Sequence, residues 1–164
     1  MPSRSGWLSK ALYEMSGELH TRLTAFGPRL AQERPLPDCE TALELACLLR
    51  NRELIAAHHI EQCVYGPPAQ LRLHDLEWLQ PDAGPKHWED IDDLMHEFSG
   101  LRHRTCSLFW GLTDREWQLT TNHRFVGNVT LEDIVVRLHE HDIEGLWKAK
   151  RLAGALGVRQ PHFG

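Results

Sequence analysis

The sequence lacks any run of about 18 apolar residues, the length a bilayer-spanning helix needs, so a membrane-embedded chain is not expected. Its opening stretch, MPSRSGWLSKALYEMSGELH, carries charges too early and too often for the apolar core of a signal peptide, and the cytoplasm is the expected location. No C-x-x-C is present. Cys39, Cys47, Cys63 and Cys106 stand far apart, which argues against a zinc knuckle or a disulfide framework and for buried free thiols. Basic excess is missing too: 18 Lys and Arg face 23 Asp and Glu, a formal net charge of −5. A phosphate-backbone partner would favour the opposite balance, so nucleic-acid binding is not expected. No internal repeat, low-complexity segment or long strand-like alternation is evident.

What the sequence does have is helical period. At 164 residues it is long enough for one domain, taken as residues 1–164, with its own core. Leu8, Leu12, Met15, Leu19, Leu23 and Phe26 recur at spacings of three and four, which gathers one apolar stripe over about 7–26 before Gly27-Pro28 interrupts it. Thr41-Ala-Leu-Glu44 reads as a capping box opening a helix over about 41–65, stopped by Gly66-Pro67-Pro68. A third helix is expected over about 88–112, carrying Ile91, Leu94, Met95, Phe98, Leu101, Thr105, Leu108 and Leu112. Thr113 to Glu116 caps a brief turn holding Trp117, TTNHRFVGNVT reads as a loop with short extended character, and Thr130-Leu-Glu-Asp133 caps a fourth helix over about 131–156. The connection over residues 67–87 holds Trp78 and a short helical turn around Asp75 to Leu79; connections beyond about 15 residues are uncommon and often functional. The architecture read from this is all-α: a four-helix bundle with a long crossover connection between helices 2 and 3.

Bundles build sites from side chains facing each other across the core. By helical phase, Leu48, Arg52, Ile55 and His59 share a stripe of helix 2, and Leu138, His141 or Asp142, and Gly145 share one on helix 4. Two imidazoles four residues apart on a helix present themselves to one metal ion most easily, but the position four after His141 is Gly145. His139 and His141 point to different faces, and His96 and His103 are two turns apart. His20, His58, His59, His74, His87 and His162 read as solvated or hydrogen-bonded imidazoles. Glu53 reads as an exposed or capping carboxylate before a catalytic base, and Trp110, Trp117 and Trp147 as packing residues.

Four fragments in order, TALELACLLRNRE (Thr41 to Glu53), LTDREW (Leu112 to Trp117), NHRFVGNVTLEDIV (Asn122 to Val135) and HDIEGL (His141 to Leu146), resemble the DinB-like family of four-helix bundles, also called YfiT-like or thiol-transferase-like. The resemblance runs from about Leu8 to Leu156. It implies a DinB-like bundle, a homodimer, and a zinc or nickel ion held by three histidines that activates a low-molecular-weight thiol. Carried onto this chain, the helix 2 ligand falls at Leu48 and the two helix 4 ligands at His141 and Gly145. Leucine offers no donor and glycine no side chain, whereas a zinc site needs three or four protein ligands. His141 is therefore expected as the remnant of a degenerate metal site. No cofactor is expected, and zinc or nickel would return only if other histidines rebuilt the site.

The residues around that position, Leu48, Glu53, His141 and Gly145, form the candidate ligand pocket. The expected function is a metal-free module that binds a small molecule or dimerises. The alternatives are a metal-dependent thiol S-transferase and a metal-independent enzyme using His141. No catalytic residue can be assigned from the sequence, and neither ligand nor substrate is visible in it.

Overall fold

A computed structural model describes residues 4–65, 81–123 and 127–161. Four long helices dominate: α1 (Arg4–Thr24), α3 (Ala42–Tyr65), α4 (Ile91–Phe109) and α5 (Leu131–Leu156), with a short α2 (Gly27–Leu30) between the first two. The expected turn around Asp75 to Leu79 lies outside the described residues. Both α1 and α3 pack against α4 and against α5. The helices thus surround a common interior in which α1 faces α3, and α4 faces α5, across the diagonal. The chain is mostly helical, as its periodicity implies.

The helix boundaries follow from local chemistry. At the start of α3, Thr41 Oγ1 accepts from the Glu44 amide at 3.0 Å while the Glu44 carboxylate accepts from the Thr41 amide at 3.2 Å. Thr130 and Asp133 do the same at the start of α5, each bond 3.0 Å long. Two free amides are satisfied at each helix start. The third long helix begins at Ile91 rather than near residue 88 because the Asp90 side chain accepts from the Asp93 amide at 2.8 Å and holds Asp90 itself in extended backbone. It ends at Phe109 rather than at 112. At the far end of α5, Gly157 takes the left-handed conformation (φ 67°) and donates its amide to the Ala153 carbonyl. Gly27-Pro28 interrupts α1 as expected, yet Pro28 then sits in the first turn of α2, where its missing N–H costs nothing.

The segment read as a loop is a β-hairpin. β1 (Thr120–His123) pairs antiparallel with β2 (Gly127–Thr130), in register from Thr120 opposite Thr130 to His123 opposite Gly127. Before it, Thr113 and Glu116 exchange hydrogen bonds and open a 3-10 turn, Glu116–Gln118, that carries buried Trp117 against Phe109. The other two tryptophans expected to pack do not: Trp110 is 86% exposed and Trp147 60%. Among the described residues all four cysteines are free thiols, with Cys47, Cys63 and Cys106 buried. No helix among those described is long and apolar enough to cross a membrane.

The interior is divided. One apolar cluster gathers Leu19, Leu23, Phe26, Leu45, Leu49, Leu94 and Phe98 with Ala149 and Leu152. The other gathers Leu8, Leu12, Ile60, Cys106 and Phe109 with Trp117, Leu131, Val135 and Leu138. Between them lies a layer of buried polar side chains: Ser16, Glu53, Arg102 and Asp142.

Candidate functional site

The polar layer centres on Arg102 of α4, which is completely buried. Its Nε and Nη2 donate to the two oxygens of Glu53 on α3, each at 2.9 Å. Its Nη1 and Nη2 donate to the two oxygens of Asp142 on α5 at 2.8 and 2.9 Å, and Nη1 also donates to the Leu12 carbonyl of α1 at 2.8 Å. A guanidinium has five N–H groups; here each has an acceptor, and all four long helices are tied to one side chain. Burial opposes the charge on Arg102, but the two carboxylates more than offset it and hold its pKa above the ordinary value. Burial pushes Glu53 above the usual carboxylate range, opposed by the charge and hydrogen bonds of Arg102. Both Glu53 oxygens accept from the Arg102 guanidinium, which favours the ionised carboxylate against that burial. Glu53 is therefore neither an exposed nor a capping carboxylate, as expected from sequence, but half of a buried ion pair. Asp142 faces the same guanidinium rather than an imidazole.

The residues next to these partners in sequence turn the other way, since successive helical positions diverge by about 100°. Arg52 of α3 and His141 of α5 line a cavity of about 550 Å³ between the two helices. Its apolar wall is formed by Ile55, Ala56, Val129, Ile134 and Leu138, with Pro81 at its edge. Its polar lining is Arg52, His59, Asp133, Arg137 and His141. Small-molecule sites occupy roughly 300–1,000 Å³ and pair apolar walls with a few convergent polar groups, as this one does. Burial lowers the pKa of His141, and the charges of Arg52 and Arg137 push it the same way against Glu144 and Asp142. The imidazole is consequently neutral near pH 7, able to donate from one nitrogen and accept at the other.

Of the four residues assigned to a pocket from sequence, only His141 lines this cavity. Glu53 is in the ionic centre. Leu48 is half-buried on α3. Gly145 faces the core: a Cβ built on it would lie 3.1 Å from Leu49 Cδ2 and 3.7 Å from Leu19 Cδ2. Leu49, not Leu48, is thus the α3 residue that meets Gly145, and its side chain fills the space a second helix 4 ligand would need. Among the described residues no three His, Cys, Asp or Glu side chains gather closely enough to hold an ion. Of the helix 2 stripe, Arg52, Ile55 and His59 line one site, which His59 shares with His141.

The second half of the long connection is fastened beside this cavity. Asn51 Nδ2 donates to the Pro81 and Ala83 carbonyls, both at 3.4 Å, and Arg50 pairs with Glu89 at 2.8 Å and with Glu97 of α4 at 2.6 Å. These contacts place Pro81 at the cavity edge. Sequence reasoning missed Arg102 and the basic character of the cavity. The signal for the first was present: Arg102 continues the apolar phase of Leu94, Phe98 and Thr105. No protein-family model, curated protein or solved structure matches the chain.

Proposed function

We propose that the protein is a DinB-like four-helix bundle that binds a small molecule in the cavity between α3 and α5 and works without a resident metal. The observation that carries this reading is the cavity itself, about 550 Å³ with an apolar wall and His141 in its lining. The order and spacing of the fragments around Thr41, Leu112, Asn122 and His141 support the family. Leu49 packed against Gly145, with no donor at Leu48, supports the loss of the metal. Elemental analysis of protein purified without an affinity tag is expected to find less than stoichiometric zinc or nickel; a full equivalent bound by nitrogen donors would restore the thiol-transferase reading. The pocket is tested by a fragment screen read by methyl NMR, in which binders shift Ile55, Ile134 and Leu138 together and Ala56→Phe abolishes the shifts. Binders that leave those methyls unmoved would overturn it.

The neutral, half-buried His141 favours a second reading, acid–base chemistry on the bound molecule without a metal. There His141→Ala abolishes turnover while leaving binding within a few-fold, and unchanged turnover rejects it. A homodimer belongs to the same proposal. Trp7 on α1 and Ile143 and Trp147 on α5 are large, exposed and apolar, on two helices that pack together, and Trp7 meets His139 edge-on. Light scattering at micromolar concentration is expected to give twice the chain mass; a monomer removes the dimer and leaves the pocket untouched.

A further inference from the structure

The protein as a whole is acidic, at −5, but the cavity is not. Its described lining carries two arginines, Arg52 and Arg137, against the single carboxylate Asp133. That carboxylate is held by the start of α5, where it accepts from the Thr130 amide at 3.0 Å. A further acid acting on this region, Glu144, is bonded by Lys148 at 2.9 Å, and Lys148 first and Arg52 after it draw its pKa down. Among the described residues Arg52 and Arg137 enter no ion pair, like Arg115, Arg151 and Arg159 and unlike Arg22, Arg29, Arg34, Arg50, Arg102 and Arg104, but of the unpaired five only these two line the cavity. Both act on His141 with the same sign, so the two positive charges and the imidazole share one field at the polar end of the cavity. The same cavity is lined by Ile55, Ala56, Ile134 and Leu138, which offer hydrocarbon contact only.

From this arrangement, and resting on the reading of the cavity as a ligand site, we infer that the ligand is an amphiphilic anion: a carboxylate or phosphate group held by Arg52 and Arg137, with its hydrocarbon body on Ile55, Ala56, Ile134 and Leu138. The guanidinium is suited to this task. It stays charged at any physiological pH, is more weakly hydrated than an ammonium, and meets carboxylate or phosphate oxygens with paired N–H donors. Two arginines on different helices would grip one headgroup from two sides, and His141 supplies a further donor. Arg52 and Arg137 are thereby specificity residues of the pocket rather than structural ones.

Four probes of equal tail length separate the contributions: octanoate, octyl phosphate, octanol and octylamine, titrated against the full chain by calorimetry and methyl NMR. At least one of the two anions is expected to bind about tenfold or more tightly than octanol, since hydrogen bonds to charged groups exceed neutral ones by that order, and octylamine more weakly than octanol. Whichever anion binds more tightly identifies the headgroup. R52Q and R137Q should each bring the anion towards octanol and leave octanol itself unchanged, while R52K, which keeps charge but not the paired donors, falls between. Octanol binding as tightly as both anions, with all shifts still in the cavity, would overturn the anion site and leave the pocket standing. If none of the four probes shifts the cavity methyls, the pocket falls and the anion site with it.

Discussion

Arg52 and Glu53 are neighbours on α3, and His141 and Asp142 are neighbours on α5, yet each pair divides between two different environments. Glu53 and Asp142 turn inward to Arg102, where every N–H of a buried guanidinium has an acceptor. Arg52 and His141 turn to the cavity, where Arg52 and Arg137 enter no ion pair among the described residues. In the first region charge is fully matched inside the molecule and nothing remains to bind a ligand. In the second, Arg52 and Arg137 form no ion pair among the described residues, and the proposed ligand would supply one.

The sharpest way to break this contrast is at the saturated end. Arg102→Met removes the cation and leaves two buried carboxylates facing each other, a change of the kind that costs about 3–5 kcal/mol. Urea unfolding should show a loss of that size. Replacing Arg102, Glu53 and Asp142 together by apolar residues of similar volume should cost much less, because a buried ion cluster often contributes little beyond its own desolvation. A triple variant less stable than Arg102→Met would mean that the cluster adds net stability of its own. Gly145→His comes next. Its side chain must displace Leu49, which already lies 3.1 Å from the first added carbon, and overpacking of this kind costs about 1–3 kcal/mol. Added zinc should not raise the melting temperature of that variant. A clear zinc-dependent rise would show that a metal site can still form beside His141.

These regions were unequally legible in the sequence. Long periodic stripes and reciprocal caps are local properties, so the four helices and the Thr41 and Thr130 starts were readable from residue order alone. So was the helix 2 stripe of Arg52, Ile55 and His59, which needs only the phase of one helix. The ionic centre was hidden because charged residues are read as solvated by default, although Glu53, Arg102 and Asp142 each occupy the phase of neighbouring core residues on three helices. Charge at a core phase on one helix is ambiguous; complementary charges at core phases on three helices predict a buried cluster. The cavity could not be seen, since it depends on how α3 and α5 splay and on Val129 arriving from a hairpin that had been read as loop. Gly145 shows the same limit from the other side. It was assigned to the ligand pocket, but Leu49 lies 3.1 Å from where its Cβ would be, and only the packing of α3 against α5 reveals that.

A smaller effect comes from titrating the cavity. The pKa of His141 is lowered in the folded protein by burial and by Arg52 and Arg137, against Glu144 and Asp142, whereas an unfolded histidine titrates near 6.5. Between those two values the unfolded chain binds the extra proton, so stability falls as pH drops below about 6.5 towards the lowered value. Above that window the imidazole is neutral in both states and adds no slope. Chemical denaturation at stepped pH should give a wild-type curve that falls more steeply over this window than that of His141→Gln. Parallel curves would show that folding does not lower the His141 pKa.

The smallest expected effect discriminates best. R52Q and R137Q remove side chains that enter no ion pair among the described residues, and substitutions of that kind usually change stability by no more than about 0.5 kcal/mol. The double variant should melt within a few degrees of the wild type. Separating two like charges that crowd one cavity can even stabilise the fold slightly. A loss comparable to that of Arg102→Met would mean that the cavity arginines are as structural as the buried one, and the distinction between a saturated and an incomplete site would disappear. Near-equal stability together with an unperturbed fold would mean instead that Arg52 and Arg137 have no folding role, as the proposed anion site requires.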